Sequence, residues 1–300
     1  MEDIDALAPI TPRATRCKVE DSDPELEDDL AAWFDVDCQL PRLTLLGPVG
    51  ALTRGDATVV AKRKPHHVEL LAFLALHPGG VTSSQIAGAF TISTAHARTD
   101  INAVRTWLGV NPVTGCRHLP AADASRAAQL HGMPTYQVEG LVVDVDLFRR
   151  LRARGQPRGN EGMTDLVTAH RLVSGQPFEQ LRPAAWSWLL EGNRLDQHME
   201  CAIVDVAHVV TTHSLAEDDF DCARTTVETA RRAAPYDEIS QLDLVAVMSA
   251  EGHQELAERL LVGQICNRTE DDMGPVDLPE RTQQVIGQRD WLRSRRPAKR

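Results

Sequence analysis

The chain has 300 residues, of which 42% are hydrophobic, and it carries a formal net charge of −11. This length predicts roughly two domains, and the apolar fraction is sufficient for buried cores. No apolar run approaches the ~18 residues needed to span a bilayer, and the acidic start lacks a basic-then-apolar signal pattern. We therefore expect a cytoplasmic protein with no membrane contact.

Residues 1–40 predict an acidic, largely disordered leader. They hold 12 acidic and 3 basic residues, a composition that favours disorder over about the first twenty positions. Within the leader, the spacing of Leu26, Leu30, Trp33 and Phe34 predicts a short helix that docks on the folded body. The six cysteines of the chain form no C-x-x-C pair, which predicts reduced thiols rather than disulfides or a zinc site.

Residues 42–61 predict the short strands of a small N-terminal sheet. Residues 43–49 are mostly apolar, Arg54-Gly55-Asp56 predicts a turn, and residues 58–61 form a second β-rich run. The basic triplet that follows, Lys62, Arg63 and Lys64, is either a solvated junction or a set of phosphate contacts. We include the triplet among the candidate DNA-binding residues.

Residues 65–108 predict three consecutive helices, which is the size and order of a helix-turn-helix core. Pro65 suits the first turn of the first helix, because its missing N–H would be unpaired there anyway. The sequence His-Pro-Gly-Gly at 77–80 ends that helix. Thr82 and Gln85 then form the capping-box pattern that begins the second helix.

The third helix, capped by Ser93 or Thr94, carries the candidate reading surface. At about 100° per residue, Ala97, Ile101 and Val104 predict a buried face, completed by Leu108. The polar candidates on or beside the opposite face are His96, Arg98, Thr99, Asp100, Asn102, Arg105 and Thr106. Arginine can bind guanine edges or phosphates, asparagine can pair with adenine, and threonine can contact either base edges or phosphates.

An ordinary amphipathic helix with a solvated polar face explains the same third-helix pattern, since only two arginines are present. Asp100 would also repel phosphate. Among the polar candidates, we assign DNA binding to His96, Arg98, Thr99, Asn102 and Arg105. The order of the surrounding elements favours this interpretation.

The stretch after the third helix predicts a wing. Residues 117–119 and 135–138 could pair as a hairpin, separated by an alanine-rich insert at 120–132 that is long for a hairpin loop. Arg117 is the wing residue that we include among the DNA-binding candidates, for phosphate or the minor groove.

From Val143 onward the pattern is entirely helical. We predict helices at 145–153, 163–173, 186–214, 217–233, 236–251, 253–266 and 280–293. Residues 219–223 align with residues 253–257 at a spacing of 34 residues, which is the tetratricopeptide period. Such stacked helix pairs offer a concave surface for a protein partner.

The charge is unevenly spread along the chain. Residues 41–150 carry 11 basic and 7 acidic groups, whereas residues 151–300 carry 18 basic and 24 acidic groups. The one basic segment contains the helix-turn-helix pattern, which is a modest electrostatic footprint for nucleic acid. We therefore predict an acidic leader at 1–40, a winged helix-turn-helix DNA-binding domain at 41–140 and a helical tetratricopeptide-like domain at 141–300.

The familiar catalytic motifs do not occur. The sequence has no P-loop, no G-x-G-x-x-G after a strand, no H-E-x-x-H and no G-x-S-x-G. Asp205 and His208 stand one turn apart on an apolar helix, but a helix-face histidine explains them better than a metal site. We expect no catalytic residues, no metal, no cofactor and no enzymatic activity.

Several segments together resemble a known family. These are LTLLGPV (43–49), KRK (62–64), ELLAFLALHPGGVTSSQIAGAF (69–90) and NAVRTWLG (102–109), followed by VDVDLFRRL (143–151), GQPFEQLRPAAWSWL (175–189), IVDVAHVV (203–210) and APYDE (234–238). Their order and spacing are similar to those of bacterial transcriptional activator domain proteins, which are related to the SARP antibiotic-regulator activators. The resemblance covers about 41–293 and implies a winged helix-turn-helix followed by a tetratricopeptide-like activator domain.

The sequence therefore predicts a mainly α chain with a small α+β part, acting as a DNA-binding transcriptional regulator. Its expected partners are double-stranded DNA and, through the helical domain, RNA polymerase or another protein; a homodimer stays open. The alternative is a protein-interaction scaffold that keeps the fold without sequence-specific DNA binding. A continuous basic face made by Arg98, Arg105, Arg117 and residues 62–64 would favour the regulator.

Overall fold

The computed structural model describes residues 23–192, 194–262 and 280–288. In these ranges the chain is mainly helical with one small sheet, as the sequence predicts. The helices are α1 (Leu26–Phe34), α2 (Lys64–Ala75), α3 (Ser83–Phe90), α4 (Thr94–Leu108), α5 (Arg126–His131), α6 (Asp144–Gly155), α7 (Met163–Arg171), α8 (Ser187–Leu190), α9 (Leu195–Ala216), α10 (Phe220–Ala233), α11 (Glu238–Ala250), α12 (Gln254–Leu260) and α13 (Glu280–Gln288). The strands are β1 (Arg42–Thr44), β2 (Gly50–Leu52) and β3 (Val142–Val143). Two 3₁₀ helices span Ala57–Arg63 and Gln156–Gly162.

The chain divides into two compact units. The N-terminal unit holds Asp23–Arg150 and Pro177–Met199, and the C-terminal unit holds Leu151–Gln176 with the described residues from Glu200 onward. The sequence did not indicate that residues 177–199 belong with the N-terminal unit. Whether residues 41–140 and 141–300 fold as separate domains stays a prediction.

The sheet of the N-terminal unit has the order β2-β1-β3, with β1 antiparallel to β2 and parallel to β3. The predicted strand at 58–61 is wrong, because these residues form the first 3₁₀ helix. The Asp56 side chain accepts a hydrogen bond from the Thr58 N–H at 2.8 Å, which caps that helix. The N–H groups of Gly55 and Asp56 bond to carbonyl oxygens at the end of α4 instead of to a neighbouring strand.

The three predicted central helices are confirmed as α2, α3 and α4. Thr82 and Gln85 form the capping box at the start of α3, with both reciprocal hydrogen bonds present. Ser93 caps α4 by accepting a hydrogen bond from the His96 N–H. Gly109, which has a φ of 81°, ends α4 where the sequence predicted a stop.

The predicted wing hairpin between 117–119 and 135–138 does not form as expected. Tyr136 instead pairs with Val81, between α2 and α3, while Arg117 pairs with Val110. The insert between the two runs contains α5, which takes up part of the long connection. Ser125, which is fully buried, caps α5 and donates a hydrogen bond to the carbonyl of Thr135 at 2.6 Å.

Buried carboxylates join distant parts of the N-terminal unit. Asp144 accepts hydrogen bonds from the N–H groups of Leu45 and Leu46 at 2.9 Å, and so fastens the start of α6 to the end of β1. Glu69 on α2 accepts hydrogen bonds from the Trp186 N–H at 2.8 Å and from Arg182 at 2.8 Å. These bonds hold residues 177–199 against α2.

The docked leader helix is confirmed in part. Leu26 and Leu30 of α1 are buried, as predicted, but Phe34 is 45% exposed. Arg150 also binds Asp23 at 2.7 Å and Asp29 at 2.6 Å, so acidic residues of the leader have a cationic partner. The predicted disorder of the first twenty or so positions falls outside the described residues.

The C-terminal unit is built of helices in sequence order. Small and branched residues on α10 and α11 pack together, namely Ala223, Val227, Leu244 and Val247. Helices α10 and α12 begin 34 residues apart, at Phe220 and Gln254, as the repeat spacing predicted. Ala223 and Ala257, at equivalent positions of the two helices, are both fully buried.

Three helix predictions are matched only in part. The single run predicted at 186–214 is divided into α8 and α9. The predictions at 253–266 and 280–293 are confirmed over α12 and α13, while residues 263–266 and 289–293 lie outside the described part of the chain. None of the described helices combines the length and hydropathy needed to cross a membrane.

Candidate nucleic-acid interface

The exposed side of α4 carries four of the predicted DNA-binding residues. His96, Arg98, Thr99 and Asn102 are all exposed. They lie in the first nine positions of the helix, immediately after the short turn that separates α3 from α4. Arg98 and Asn102 are four residues apart and therefore lie on the same face.

Local hydrogen bonds orient several of these side chains. The Thr99 hydroxyl donates to the Ala95 carbonyl at 3.1 Å, within the helix. The Ser93 hydroxyl lies 3.2 Å from His96 Nδ1, beside the helix cap. Within the described residues, the guanidinium of Arg98 makes no hydrogen bond or ion pair, so its donors stay available to a ligand.

Asp100 is not on the exposed face, which corrects its predicted position. It is 5% exposed, and Trp107 on the same side is 1% exposed, so the buried face of α4 is wider than the apolar residues indicated. His66 Nε2 donates to the Asp100 carboxylate at 2.8 Å, and Arg63 donates to it at 3.2 Å. The predicted repulsion between Asp100 and phosphate therefore does not apply in this form, because cationic and N–H groups surround the carboxylate.

Arg105 is half-buried and bound to the protein itself. Its guanidinium donates to the carbonyl oxygens of Leu119 at 2.8 Å and Pro120 at 3.0 Å, and to the side-chain oxygen of Asn102. Burial lowers the pKa of Arg105 below its ordinary value, and nearby Arg117 adds to this lowering. The geometry indicates that Arg105 fastens α4 to the following loop, with much of its donor capacity already used.

The remaining predicted residues are exposed cations outside α4. Lys62, Arg63 and Lys64 lie at the junction between the first 3₁₀ helix and α2, and Arg117 lies in the loop after α4. Arg63 reaches α4 through its bond to Asp100, so the structure brings one member of the triplet to the candidate helix. Arg117 lies close enough to Arg105 to affect its pKa.

The basic groups therefore approach α4 from two elements. Arg63 meets α4 at the buried carboxylate of Asp100, whereas Arg105 and Arg117 lie close together towards its C-terminal end. Arg98 lies between these groups in sequence, and its guanidinium forms no hydrogen bond or ion pair with either of them in the described structure. The geometry thus places cations at two separate points around α4.

Sequence reasoning missed the polar cluster that positions α4. His67 Nε2 lies 3.5 Å from Asp100, and its Nδ1 donates to the Arg63 carbonyl at 3.0 Å. Burial is the largest effect on His67 and lowers its pKa. Two adjacent histidines on a strongly apolar helix were the available signal, but their partner stands 34 residues later in the sequence.

Other chemical groupings are explained by contacts within the C-terminal unit. His208 Nδ1 lies 2.8 Å from the buried carboxylate of Asp243, and Arg152 donates to Asp205 at 3.2 Å. Across the described ranges, no group of three histidine, cysteine or acidic side chains is arranged to hold a metal ion. Four cysteines in these ranges, at 38, 116, 201 and 222, are free thiols.

No known family model matches this chain.

Proposed function

We propose that this protein is a DNA-binding transcriptional regulator that inserts the exposed side of α4 into the major groove of duplex DNA. The observation that carries the proposal is the exposure of His96, Arg98, Thr99 and Asn102 near the N-terminus of α4. In helix-turn-helix proteins, the N-terminal residues of the second helix of the motif contact base edges. Here α3 would cross the DNA backbone and α4 would read the bases.

The chemistry of the exposed residues suits base and phosphate contacts. Arg98 has a free guanidinium that can bind guanine bidentately, and Asn102 can bind adenine. The Asn102 oxygen already accepts a hydrogen bond from Arg105. This bond fixes the amide orientation before DNA arrives and leaves the amide N–H groups available.

Cations outside α4 would supply contacts that position the protein on the backbone. The side chains of Lys62, Lys64 and Arg117 are exposed and make no hydrogen bond or ion pair within the described ranges. Phosphate contacts fix register and orientation without carrying sequence information. Arg105 is assigned a positioning role in this proposal, since its guanidinium binds three groups of the protein.

The same proposal extends to family and partners. We propose membership of the bacterial transcriptional activator domain proteins, cytoplasmic and non-enzymatic, with a winged helix-turn-helix whose wing lacks the hairpin expected at 117–119 and 135–138. Buried Ala223 and Ala257 support stacked, tetratricopeptide-like pairs in the C-terminal unit. That array would contact RNA polymerase or another protein, and a homodimer would suit a two-fold DNA site.

Selection from a random duplex library, using the full chain, tests the proposal. Fluorescence anisotropy with the selected duplex would then compare the unmodified protein with Arg98→Ala, Asn102→Ala and the control Arg259→Ala in the C-terminal unit. A lost base contact should weaken specific binding by about 1–3 kcal/mol, while a lost phosphate contact should reduce the salt slope by about one unit. Failure to select any duplex at low salt would refute the proposal.

A protein-interaction scaffold is the second candidate function. It is favoured by the bonds of Arg105 to carbonyl oxygens, which leave Arg98 as the one arginine of α4 with a free guanidinium. A scaffold predicts weak duplex binding with no sequence preference. Equal affinity for selected and scrambled duplexes would support it, and a strong preference for the selected duplex would exclude it.

A further inference from the structure

A cavity of about 590 Å³ lies within the N-terminal unit. Its walls come from the end of α2, the segment before β3, the first turns of α6 and the start of α9. Protein interiors are close-packed, with few voids larger than a water molecule, whereas small-molecule sites typically measure about 300–1,000 Å³. The size of this cavity therefore suits a small organic ligand.

The cavity wall combines apolar and polar surface. Leu76, Val138, Leu141 and Leu195 contribute aliphatic side chains from three different segments. All four are only partly buried, so part of their apolar surface stays accessible. Covering such surface is favourable at roughly 25 cal/mol per Å², which provides a driving force for an apolar ligand body.

Arg149 gives the cavity a cationic edge. Its neighbour Arg150 binds Asp23, Asp29 and Asp146, so that guanidinium is neutralised by carboxylates. Arg149, one position earlier on α6, lines the cavity, and its guanidinium makes no hydrogen bond or ion pair in the described ranges. Two consecutive arginines thus differ, one bound within the protein and one available to a ligand.

The other polar groups of the wall are consistent with an anionic ligand. His198 is exposed at the cavity and can donate a hydrogen bond. Asp146 is the one carboxylate of the lining, and Arg150 lies 3.3 Å from it and offsets its charge. The charge that faces the cavity without an internal partner is therefore positive.

A hydrogen bond also joins two segments of the cavity wall. Gln137 donates to the Pro78 carbonyl at 2.9 Å and accepts from the Ala127 N–H at 2.8 Å. The first bond joins the turn after α2 to the segment before β3, and the second joins that segment to the start of α5. A site shaped before binding avoids part of the ordering free energy that a ligand would otherwise have to offset.

We propose that this cavity binds a small amphipathic organic anion, with its carboxylate, sulfonate or phosphate on Arg149 and its apolar body against the leucine and valine wall. His198 supplies a second hydrogen bond to the anionic group. The proposal goes beyond DNA binding and does not depend on it. The cavity would act as an effector site within the N-terminal unit.

Two fluorescent probes with the same ring system test the ligand class. Anilinonaphthalene sulfonate is an amphipathic anion, and N-phenylnaphthylamine is its neutral counterpart. Both would be titrated into the full chain and into Arg149→Gln, Ala75→Phe and the control Arg259→Gln. Ala75 lines the cavity at the end of α2, so the phenylalanine would occupy ligand space.

We expect one sulfonate probe per chain, with affinity reduced about tenfold in Arg149→Gln because a charge-assisted bond is lost. The neutral probe should bind Arg149→Gln unchanged, Ala75→Phe should weaken both probes, and Arg259→Gln should weaken neither. Sulfonate binding unaffected by Arg149→Gln and Ala75→Phe would overturn the site. Equal loss of both probes in Arg149→Gln would overturn the selectivity for anions. If circular dichroism shows that Ala75→Phe is unfolded, Val138→Phe replaces it.

Discussion

The two compact units are stabilised in different ways. In the N-terminal unit, buried carboxylates join residues far apart in sequence: Asp144 binds Leu45 across 99 positions, and Glu69 binds Trp186 across 117 positions. In the C-terminal unit, the buried carboxylates of Asp165 and Asp243 bind partners closer in sequence, Arg154 across 11 positions and His208 across 35 positions. Buried carboxylates thus join more distant parts of the sequence in the first unit than in the second.

The two units also differ in whether all of their buried polar side-chain atoms form hydrogen bonds. Among the described residues, the buried side-chain atoms without a hydrogen-bond partner all belong to the C-terminal unit. They are Arg152 Nε, His170 Nε2, Thr211 Oγ1, Thr212 Oγ1, Ser240 Oγ and Gln241 Oε1. A buried polar atom without a partner contributes no hydrogen bond to stability. Comparable substitutions should therefore have different effects in the two units.

The largest effect is expected for Glu69→Ala. The change removes the acceptor of the Trp186 N–H, the Trp188 indole N–H and the Arg182 guanidinium. Trp186 has a φ of 64°, a conformation that costs about 1 kcal/mol or more unless the surroundings hold it. We expect a loss of about 3–5 kcal/mol in the free energy of unfolding, because two tryptophan N–H groups lose a charged acceptor and the strained Trp186 backbone loses its anchor.

Urea unfolding followed by tryptophan fluorescence would measure this loss. Trp33, Trp107, Trp186 and Trp188, four of the five tryptophans of the chain, lie in the N-terminal unit. Glu69→Gln is the matched control, because it keeps one acceptor oxygen while removing the charge, and it should lose less. A Glu69→Ala protein as stable as the unmodified chain would contradict the role of long-range carboxylates.

The contrast also explains what the sequence could predict. Local signals located α3 and α4 correctly: a capping box at Thr82, a serine cap at Ser93 and a terminating Gly109 all act within one turn. The 34-residue spacing of α10 and α12 likewise relates two helices that are separated along the chain by only one other helix. The predictions that failed concerned pairing between distant segments. Examples are the predicted pairing of residues 135–138 with 117–119, where Tyr136 pairs with Val81 instead, and the strand predicted at 58–61.

The candidate interface shows the same limit. Helical periodicity correctly placed His96, Arg98, Thr99 and Asn102 on the exposed side of α4. Periodicity could not reveal the burial of Asp100, because its partners lie on α2 and in the first 3₁₀ helix. It also could not reveal the bonds of Arg105, whose acceptors are carbonyl groups of an irregular loop.

The buried carboxylate of Asp144 predicts a pH dependence for the N-terminal unit. Burial raises its pKa to about 7, although backbone N–H groups oppose the shift. Its folded pKa exceeds its unfolded pKa, so its contribution to stability is complete below the unfolded pKa and is lost as pH rises to about 7. The contribution should decrease by roughly 4 kcal/mol between pH 4 and pH 7.

Urea unfolding of Asp144→Asn across this pH range isolates the contribution. The variant is expected to be less stable at acid pH, because its amide N–H₂ would face backbone donors. The unfolding free energy of the variant should nevertheless fall less steeply with rising pH, because the asparagine has no carboxyl group to titrate. Parallel slopes for the variant and the unmodified chain would contradict the raised pKa.

His170 predicts the opposite dependence for the C-terminal unit. Burial, with a smaller effect from Arg232, lowers its pKa to about 4. Its contribution is therefore complete above its unfolded pKa and is lost as pH falls through about 4, by roughly 3 kcal/mol in total. Hydrogen exchange of peptides from α10 and α11 should show protection that falls with acidification. His170→Asn, which cannot titrate, should weaken this trend; an unchanged trend would assign it to other groups.

The smallest change in stability is expected when the same serine-to-alanine substitution is made in each unit. Ser125 in the N-terminal unit is fully buried, donates to the Thr135 carbonyl at 2.6 Å and accepts from the Ala128 N–H at 3.0 Å. Ser240 in the C-terminal unit is 1% exposed, and its hydroxyl has no partner in the described chain. The two hydroxyls are thus equally buried but differ in hydrogen bonding.

Ser125→Ala should lower the free energy of unfolding by about 1–3 kcal/mol, because it removes a helix cap and leaves a buried carbonyl without its donor. Ser240→Ala removes a hydroxyl that is desolvated without a hydrogen bond, so the change should stay within about 0.5 kcal/mol in either direction. Urea unfolding followed by circular dichroism, which reports helices of both units, would measure the pair under one condition. Equal losses would show that Ser240 has a hydrogen bond in solution. The two units would then differ only in how far apart in sequence their hydrogen-bonded residues lie. A loss confined to Ser125→Ala would establish that polar satisfaction, and not burial alone, distinguishes the two units.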